Sequence, residues 1–579
     1  MENMVTLKIN NKEITVPSNY TVLQAAKAAN IHIPTLCYLK DINEIGACRI
    51  CVVEIKGARS LQAACVYPVS NGLEVFTNSE KVRKSRRITL ELLLSNHDKR
   101  CLTCSRNRNC ELQTLAEEFG LNELTYEGER SVFEIDNQST SIVRDNNKCI
   151  LCRRCIAACD KQAIKVIQAK ERGFITNIGA AFDISMAEAP CIYCGQCITA
   201  CPTGALTERD DTGKVWAAIQ DSTKHVEFQT APAVRAALGE EFGLPIGTPV
   251  TGKMVTAIKE LGADRAFDTD TGADLTIMEE GTEFINRFTK GENLPLITSC
   301  SPGWVKFCEH YYPEFTDNLS SCKSPMEMFG AVLKTYYCEK NNIDPKDLYV
   351  VAVMPCTSKK FEASREEMGR DGIKDIDASI TTRELAKMIK SAGIDFNALE
   401  ESHFDQPFGD ATGAAVIFGA TGGVMEAALR TVSEILTGKE LESVDFEAVR
   451  GTEGIKEATL NLAGKDVRIA VINGTANARK VLDDMKAGIV KYDFIEIMAC
   501  PGGCVNGGGQ PIRDAKCWAD NDIKALRAKA LYEEDKNAPL RKSHLNPTID
   551  LLYKDFFGEP NSHKAHELLH TKYTKRGQF

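Results

Sequence analysis

The chain has 579 residues, too many for one hydrophobic core, so we expect several domains of roughly 100 to 200 residues each. Hydrophobic residues make up 43% of the chain and charged residues 26%, which is typical of an ordinary soluble globular protein. The formal net charge of −10 argues against nucleic acid as the main partner, because binding phosphates requires a basic surface. No stretch reaches the roughly 18 consecutive apolar residues of a membrane helix, and no basic segment leads into an apolar run at the start. We therefore expect a cytoplasmic protein with no membrane partner.

The chain contains 23 cysteines. In a short secreted protein this number would suggest disulfides, but in a long chain without a signal segment it indicates metal or redox chemistry. The spacing of the cysteines decides between these uses.

Residues 1–80 carry the first cysteine group. The segment 4–16 predicts a hairpin that turns at Asn10, Asn11 and Lys12, and residues 21–30 predict a helix. The cysteines that follow have the spacing C-x10-C-x2-C-x13-C, and they are Cys37, Cys48, Cys51 and Cys65. This pattern resembles a plant-type ferredoxin with one [2Fe-2S] cluster in a β-grasp domain, although the first gap is longer than in the plain form.

Residues 81–125 carry a second group after an amphipathic stretch. Its spacing is H-x3-C-x2-C-x5-C, and its members are His97, Cys101, Cys104 and Cys110. Imidazole and thiolate ligands suit a [4Fe-4S] cluster, but three cysteines and one histidine at these gaps also suit tetrahedral zinc. The spacing alone leaves both metals open, and His97 is a candidate only because three cysteines stand beside it.

Residues 140–210 give the strongest local signal, two successive C-x2-C-x2-C-x3-C runs. The first comprises Cys149, Cys152, Cys155 and Cys159, and the second comprises Cys191, Cys194, Cys197 and Cys201. This is the pattern of two-cluster bacterial ferredoxins, in which the fourth cysteine of each run ligates the cluster of the other run. The 31 residues between Cys159 and Cys191 predict an inserted loop. One [2Fe-2S] and three accessory [4Fe-4S] clusters on one chain would form an electron relay, and a relay needs a terminal site.

The region 220–511 alternates apolar runs with longer amphipathic segments, which favours an α/β domain. Three predicted strands end at a cysteine each, namely Cys300, Cys356 and Cys500. Ligand sites of open α/β sheets lie at the carboxyl ends of strands. Cys504 follows Cys500 in a glycine-rich segment that allows the backbone to approach a bulky group closely. These residues mark the predicted terminal site.

Three segments of this region, TSCSPGW (298–304), MPCTSKKFE (354–362) and EIMACPGGCVNGGGQP (496–511), resemble the iron-only, or [FeFe], hydrogenases. The order of the cluster modules resembles the large forms of that family, so the resemblance extends over nearly the whole chain. It implies a multidomain α+β and α/β fold and an active-site cluster, a [4Fe-4S] cubane joined through a thiolate to a two-iron unit with carbon monoxide, cyanide and dithiolate ligands. It also implies maturation proteins that build the two-iron unit.

The resemblance also implies individual roles. Cys356, Cys500 and Cys504 would ligate the cubane, and Lys359 would donate to a cyanide. Residues that would line the pocket are Ala231, Pro232, Met354, Phe418 and Met498.

The pair Cys300-Ser301 departs from the family's usual T-S-C-C-P, in which one cysteine binds the cubane and its neighbour passes protons. In strict register, Ser301 would replace a thiolate with a harder and poorer iron ligand. Alternatively, Cys300 is the ligand and the Ser301 hydroxyl, which can donate and accept, relays protons. We favour Cys300 as the ligand.

Protons must also reach a buried site. Glu280, Glu283 and Arg287 fall on one face of a helix predicted over 275–290, and Ser320 resembles a relay serine between the two glutamates. A solvated acidic face is the alternative from pattern alone; the family resemblance favours a proton relay.

Residues 512–579 resemble the family's small-subunit region. His563, His566 and His570 are expected to be ordinary helix residues without a ligand role, and Cys308, Cys322, Cys338 and Cys517 to be structural thiols. The leading hypothesis is a hydrogenase that reduces protons with electrons from ferredoxin or another redox carrier. The alternatives are a catalytic subunit with NADH-linked partner subunits, and a hydrogen sensor or iron-sulfur assembly relative without turnover.

Overall fold

The computed structural model describes residues 3–126, 128–462 and 464–577. Its amino-terminal module folds as a five-stranded sheet of order β2-β1-β5-β3-β4 with one helix packed on it. The strands are β1 Met4–Ile9, β2 Lys12–Pro17, β3 Val52–Ile55, β4 Gln62–Ala63 and β5 Glu74–Phe76, and the helix is α1 Val22–Ala28. β1 pairs antiparallel with β2 and parallel with β5, so the hairpin predicted at Asn10 and Asn11 lies at one edge of the sheet. Thr21 caps α1 with a capping box that includes Gln24.

Two helices follow, and then a small module with two hairpin-like strand pairs. The helices are α2 Glu80–Ser95 and α3 Glu111–Glu118; the module contains β6 Ile142–Arg144, α4 Arg154–Lys161, β7 Gln168–Lys170, β8 Asn177–Gly179, α5 Gln196–Ala200 and β9 Leu206–Glu208. β6 pairs antiparallel with β9, which joins the two ends of the module. The antiparallel pair β7 and β8 lies within the insertion predicted between the two cysteine runs.

The catalytic region is built on two four-stranded sheets. The first has the order β11-β10-β13-β16 and is entirely parallel; its strands are β10 His225–Thr230, β11 Arg265–Asp268, β13 Leu348–Met354 and β16 Ala378–Thr381. The second has the order β12-β19-β18-β17; its strands are β12 Leu296–Ile297, β17 Ile455–Leu462, β18 Lys465–Asn473 and β19 Phe494–Met498. Within it, β12, β19 and β18 are parallel. A short antiparallel pair, β14 Gly369–Arg370 and β15 Ile373–Lys374, lies apart from both sheets.

Helices cover these sheets. Up to residue 437 they are α6 Thr212–Gln220, α7 Pro232–Arg235, α8 Thr251–Glu260, α9 Asp270–Lys290, α10 Pro302–Tyr311, α11 Pro325–Val332, α12 Cys338–Asn341, α13 Ser358–Glu362, α14 Thr382–Ser391, α15 Gly413–Val416 and α16 Gly423–Thr437. Beyond it they are α17 Thr475–Lys486, α18 Ala515–Asp520, α19 Ile523–Asn537, α20 Pro547–Leu552 and α21 His563–Leu569. The two sheets have separate apolar cores, one around Phe228 and Val351 and the other divided over the two faces of β18 and β19. No helix in the described part of the chain is long and apolar enough to cross a membrane.

The predicted multidomain α+β and α/β fold is confirmed, with two differences in detail. The strand predicted to end at Cys300 comprises only Leu296 and Ile297, and the chain between it and α10 is irregular. His570 was predicted as a helix residue, which is wrong: α21 ends at Leu569, and His570 is extended and buried. The reason is that Lys323 and Thr571 donate backbone hydrogen bonds to Leu569 and Ser321, which draws the chain into a strand-like pairing.

A buried arginine joins the three amino-terminal modules. The two terminal nitrogens of Arg154 in α4 donate to the two carboxylate oxygens of Glu111 in α3 at 2.6 and 2.8 Å. The same guanidinium donates to the carbonyl oxygen of Tyr38, one residue after Cys37, at 2.8 Å. Arg154 is only 1% exposed, so these contacts replace its hydration. A planar fork of donors can satisfy three acceptors at once, which a lysine ammonium cannot do in the same geometry.

We expect Arg154→Lys to lower the free energy of unfolding of the amino-terminal modules by about 1–3 kcal/mol, because the lysine keeps the charge but leaves a buried acceptor without its donor. Chemical denaturation followed by the loss of cluster absorption measures this change. The neighbouring exposed residue supplies the control, since Arg153→Lys should leave the transition in place. Equal transitions for the two variants would show that the joint contributes no stability.

Candidate functional site

The carboxyl ends of both sheets converge on three cysteines. Cys356 lies two residues beyond β13 and Cys500 two residues beyond β19. Cys504 begins a short helical turn after Gly502 and Gly503, which both have positive φ and so allow the chain to fold back onto Cys500. Cys500 and Cys504 both lie close enough to Cys356 to experience its charge.

The chemistry of these donors fits a bound iron-sulfur cluster. Burial is the largest influence on all three groups and raises the pKa of each thiol above its ordinary value. Neighbouring thiolates raise the pKa of Cys500 and Cys504 further. A cysteine binds metal as its thiolate. Because burial disfavours the free thiolates of these three cysteines, they are well suited to bind metal cations, which neutralise their charge.

Apolar residues surround the same place. Met354 and Met498 are the last residues of β13 and β19, and both are 2% exposed. Phe418 packs in one apolar cluster with Met498, Cys300 and Cys504. Ala231 follows β10 and its amide donates to the carbonyl oxygen of Val353 at 3.0 Å, which places Pro232 at the start of α7. Four of the five predicted pocket residues therefore lie at strand ends or directly after them, and Phe418, which lies in a turn between α15 and α16, packs in a cluster with Met498.

Lys359 provides a cation at the edge of the group. Its ammonium donates to Glu362 Oε2 at 2.7 Å and to the carbonyl oxygen of Cys300 at 3.3 Å. Burial by itself would lower the pKa of Lys359, but the negative groups around it, Glu362 first and then Cys356 and Glu327, together outweigh burial and the pKa is raised. The side chain is thus held charged and positioned by Glu362.

Cys300 and Ser301 have different neighbours. The pKa of Cys300 is raised well above its ordinary value, first by burial and then by the charge of Glu280 and of Cys504. The Ser301 hydroxyl instead accepts a hydrogen bond from the amide of Ala499, next to Cys500, at 3.2 Å. Cys300 therefore lies toward the glutamates of α9, and Ser301 lies toward the end of β19.

Acidic and hydroxyl side chains lead from Cys300 toward the surface. Glu280 is 1% exposed, and burial raises its pKa to about 8, so it is protonated at neutral pH. The hydroxyl of Ser320 donates to Glu283 Oε2 at 3.2 Å, and Arg287 donates to Glu283 Oε1 at 2.6 Å. Arg287 is partly exposed, so this row of groups reaches solvent.

The cysteines of the two ferredoxin-like modules are also gathered in space. Cys51 and Cys65 have their sulfur atoms 3.4 Å apart, and the Cys48 amide donates to Cys37 Sγ at 3.4 Å. In the two-cluster module, Cys201 faces Cys149, Cys152 and Cys155, and Cys159 faces Cys191, Cys194 and Cys197. The fourth cysteine of each run therefore lies with the first three cysteines of the other run, which is the crossed arrangement predicted from the sequence.

His97 is buried, and its Nδ1 has no hydrogen-bonding partner among the described residues. Burial lowers the pKa of His97 to about 4, so the ring is neutral, which is the form that binds a metal. Cys110 experiences the charge of Cys104, and Cys104 packs directly on Gly204 of the two-cluster module. An unpartnered buried nitrogen four residues before Cys101 in the sequence fits a metal site with one histidine and three cysteine ligands.

The two-cluster module docks on the catalytic cysteines through backbone contacts. A Cβ added to Gly508 would lie 2.4 Å from the carbonyl oxygen of Cys194 and 2.5 Å from Cα of Gly195. Thr357 and Ser358, directly after Cys356, donate to the carbonyl oxygens of Tyr193 and Ile192 at 2.6 and 2.7 Å. The second ferredoxin-like cysteine group and the catalytic group therefore meet without an intervening layer of side chains.

Sequence reasoning missed three residues of this site. Glu362 forms an ion pair with Lys359 and lies three residues after it in the segment MPCTSKKFE (354–362). This helical spacing could have predicted the pair from the sequence. Glu327 in α11 is fully buried with neither carboxylate oxygen hydrogen bonded in the described residues. His570 accompanies the acidic row, with Nδ1 2.8 Å from Ser321 Oγ and Nε2 3.0 Å from Glu279 Oε2. No local sequence signal marks the last two.

Comparisons with known families divide the chain in the same order. Residues 2–80 match a 2Fe-2S iron-sulfur cluster binding domain, residues 86–124 the NADH-ubiquinone oxidoreductase-G iron-sulfur binding region, and residues 148–205 a 4Fe-4S dicluster domain. Residues 224–508 match the C-terminal domain of the iron only hydrogenase large subunit, and residues 521–576 match the iron hydrogenase small subunit.

Individual proteins match over nearly the full length. The chain is 48% identical over 586 residues to the NADP-reducing hydrogenase subunit HndD of Solidesulfovibrio fructosivorans, covering 99% of each chain. It is 44% identical over 581 residues to iron hydrogenase 1 of Clostridium pasteurianum, covering 99% of this chain and 100% of that protein. Among solved structures, a variant of the [FeFe]-hydrogenase HydA1 of Chlamydomonas reinhardtii is 43% identical with a TM-score of 0.57, over 63% of this chain and 99% of that one.

We expect Gly508→Ala to push the two-cluster module away from the catalytic cysteines, because the new Cβ would overlap backbone atoms that cannot rotate aside. The cost should be about 1–3 kcal/mol of unfolding free energy, as for other overpacked sites, measured by denaturant unfolding. The control is Gly213→Ala in α6, where a Cβ meets nothing within 4 Å and the helix should gain stability. A Gly508→Ala protein as stable as the unsubstituted chain would contradict the close docking.

Proposed function

Because the chain belongs to the iron-only hydrogenase family and is an [FeFe]-hydrogenase with an iron-sulfur relay, we propose that it reduces protons reversibly to molecular hydrogen with electrons from reduced ferredoxin. The observation that carries this proposal is the position of Cys356, Cys500 and Cys504. The charge of Cys194 in the ferredoxin-like module acts on Cys500, while Cys300, which experiences the charge of Cys504, lies next to Glu280. Electrons and protons thus have separate routes to one place.

The catalytic cysteines would hold the cubane of the active-site cluster, which supplies the electrons and the metal site for hydrogen chemistry when it is bound. The chain's own residues supply the rest. Met354, Met498 and Phe418 exclude water from the pocket. Lys359, held charged by Glu362, offers an ammonium donor toward an anionic ligand such as cyanide.

Proton delivery follows from the neighbours of Cys300. Glu280 holds its proton at neutral pH because burial disfavours the carboxylate, and it lies close enough to Cys300 for its ionised form to raise the pKa of that thiol. Glu283, with Ser320 and Arg287 hydrogen bonded to it, would reload Glu280 from the solvent side. A group whose pKa lies near the working pH can both give and regain a proton, which general acid catalysis requires.

This geometry favours the relay role for Cys300 and the fourth ligand position for Ser301, the reverse of the assignment that we favoured from sequence. Cys300 lies beside Glu280 of the proposed proton route, whereas the Ser301 oxygen accepts from the amide of Ala499, the residue before Cys500. An oxygen ligand is harder than a thiolate, so the cubane would be held more weakly at this corner.

The accessory modules support a relay of one [2Fe-2S] and three [4Fe-4S] clusters. The gathered cysteines of the two ferredoxin-like modules fit these types, and the neutral, unpartnered His97 fits the third [4Fe-4S] site. Cys110 of the His97 group packs with Cys37 and Cys48 of the first module and Cys152 of the two-cluster module, as a connecting cluster would require.

The second candidate for the electron source is a set of NADH- or NADPH-linked partner subunits. The similarity to the Solidesulfovibrio relative, an NADP-reducing hydrogenase subunit, favours it. We also infer that maturation proteins insert the two-iron unit, because no described group of residues in this chain serves its synthesis.

The proposed function is tested with anaerobically matured protein. We expect hydrogen evolution with reduced ferredoxin as the sole donor, measured by gas chromatography, and infrared bands of metal-bound carbon monoxide and cyanide. NADH alone should give none. The contrary outcome is a protein with its full iron content that shows these bands but evolves hydrogen only when NADH- or NADPH-linked subunits are added. That result would favour the second candidate for the electron source.

The roles of Cys300 and Ser301 are separated by two variants. We expect Cys300→Ala to keep its active-site iron while hydrogen evolution falls about 100-fold or more, the effect of removing a proton-transfer group. Ser301→Ala should instead lower the iron content of the cubane. Iron analysis and electron paramagnetic resonance of each variant give the comparison, and loss of cubane iron from Cys300→Ala would restore Cys300 as the ligand.

A further inference from the structure

A second group of metal-binding side chains lies where the C-terminal region meets the proton route. Glu283, Cys322 and His570 each offer one ligand atom, and these atoms all lie within 4.8 Å of one another. None of the three is among the cluster ligands discussed above. We propose that Glu283, Cys322 and His570 form a binding site for one Zn²⁺-class divalent cation, and that its occupancy interrupts proton transfer; the second part rests on the proposed function.

The donor set is the first argument. A thiolate, an imidazole and a carboxylate are the three side-chain types that zinc selects in proteins, and a fourth position would be left for water. Cys322 and His570 are brought together by backbone pairing, since Lys323 donates to Leu569 and Thr571 donates to Ser321 at 2.8 and 2.7 Å. Their positions therefore do not depend on a flexible loop.

The orientation of His570 is the second argument. Nε2 lies 3.0 Å from the carboxylate of Glu279, which also accepts from Tyr553 at 2.6 Å and from the amide of Asn561 at 2.8 Å. When Nε2 carries the proton and donates it to a fixed carboxylate, the lone pair of the neutral ring is on Nδ1, which is then the atom that can bind a metal. This carboxylate–histidine arrangement is the one that supports metal-bound histidines. Nδ1 is directed toward Ser321, whose hydroxyl also contacts Glu283 at 3.1 Å, so a cation would take the position between them.

The charges of the surroundings are the third argument. Burial and the carboxylates of Glu283 and Glu279 hold the Cys322 thiol protonated by raising its pKa well above the ordinary value. The same negative charges favour a dication at that position. Arg287, 2.6 Å from Glu283, is the positive group in contact with this cluster. Binding would release the Cys322 proton to solvent and leave the site close to neutral.

Access comes from the surface beside the C-terminal helix. A cavity of 140 Å³ is bordered by His570 and by charged residues of both signs, the acidic Glu367, Asp371, Asp375 and Glu567 and the basic Lys323, Lys334 and Arg370. The ring of the exposed His566 lies against that of His570, with the centroids 4.2 Å apart and the planes tilted by 41°. A cation could thus reach His570 without passing the catalytic pocket.

Occupancy would remove Glu283 from the relay. The carboxylate that accepts from Ser320 and Arg287 would be bound to a cation, so it could not receive a proton from the solvent side. The catalytic cysteines and the electron route are untouched by this change. We therefore expect reversible inhibition with unchanged cluster content.

The test adds Zn²⁺ to the loaded holoenzyme, followed by desalting and elemental analysis of zinc and iron. We expect one zinc per chain in the unsubstituted protein, with X-ray absorption showing one sulfur neighbour at about 2.3 Å and nitrogen or oxygen at about 2.0–2.1 Å. In Cys322→Ala and in His570→Gln, the zinc concentration for half-inhibition of hydrogen evolution should rise at least ~10-fold, the lower end of the loss seen when even a supporting partner is removed.

Cys338→Ala is the matched control, since Cys338 is also buried but lies in α12, outside the proposed ligand set. It should bind zinc and be inhibited like the unsubstituted protein. Equal zinc binding by Cys322→Ala, or a bound zinc without a sulfur neighbour, would overturn the site. Zinc binding does not depend on turnover, so a chain that binds zinc but evolves no hydrogen would count against the proposed function alone. Bound zinc without inhibition would overturn only the regulatory part.

Discussion

Buried thiols are unstable as anions without a cation, and much of this structure depends on that constraint. Cys356, Cys500 and Cys504 are packed together at the ends of two sheets, where burial opposes their ionisation. The same applies to the cysteines of the two-cluster module, several of which raise one another's pKa. Cluster binding is therefore coupled to folding, because the ligands gain their charge only when a metal neutralises it.

The constraint also explains how the modules are joined. Clusters that exchange electrons must lie close together, and at two joints the modules meet through backbone and small residues. Gly508 lies against Gly195, and Gly204 lies against Cys104. Buried long side chains join the modules at other places, such as Arg154, whose charge is satisfied by Glu111 and by a carbonyl oxygen near Cys37, and Lys306, which donates to the carbonyl oxygen of Cys191. These joints place all the cysteine groups in one connected body.

The sequence predicted the parts that depend on spacing and strand order. Cysteines at the ends of apolar runs predicted the convergence of β13 and β19, and the helical spacing of Glu280, Glu283 and Arg287 predicted one face of α9. The neighbours of Cys300 and Ser301 could not be predicted, because two consecutive residues in an irregular segment can point to either side. His570 was misassigned because its conformation is set by pairing with residues 321–323, some 250 positions away in the chain. Arg154 was missed for the same reason, since its partners lie in two other modules.

The pairing of residues 569–571 with residues 321–323 has a further consequence for the C-terminal region. In this chain the segment that supplies His570 is covalently attached to the catalytic region, so its docking is an intramolecular event with a high effective concentration. A weak interface is then sufficient to keep it in place at any dilution of the protein. A separate polypeptide carrying the same segment would have to bind through a larger or more apolar surface to achieve the same occupancy.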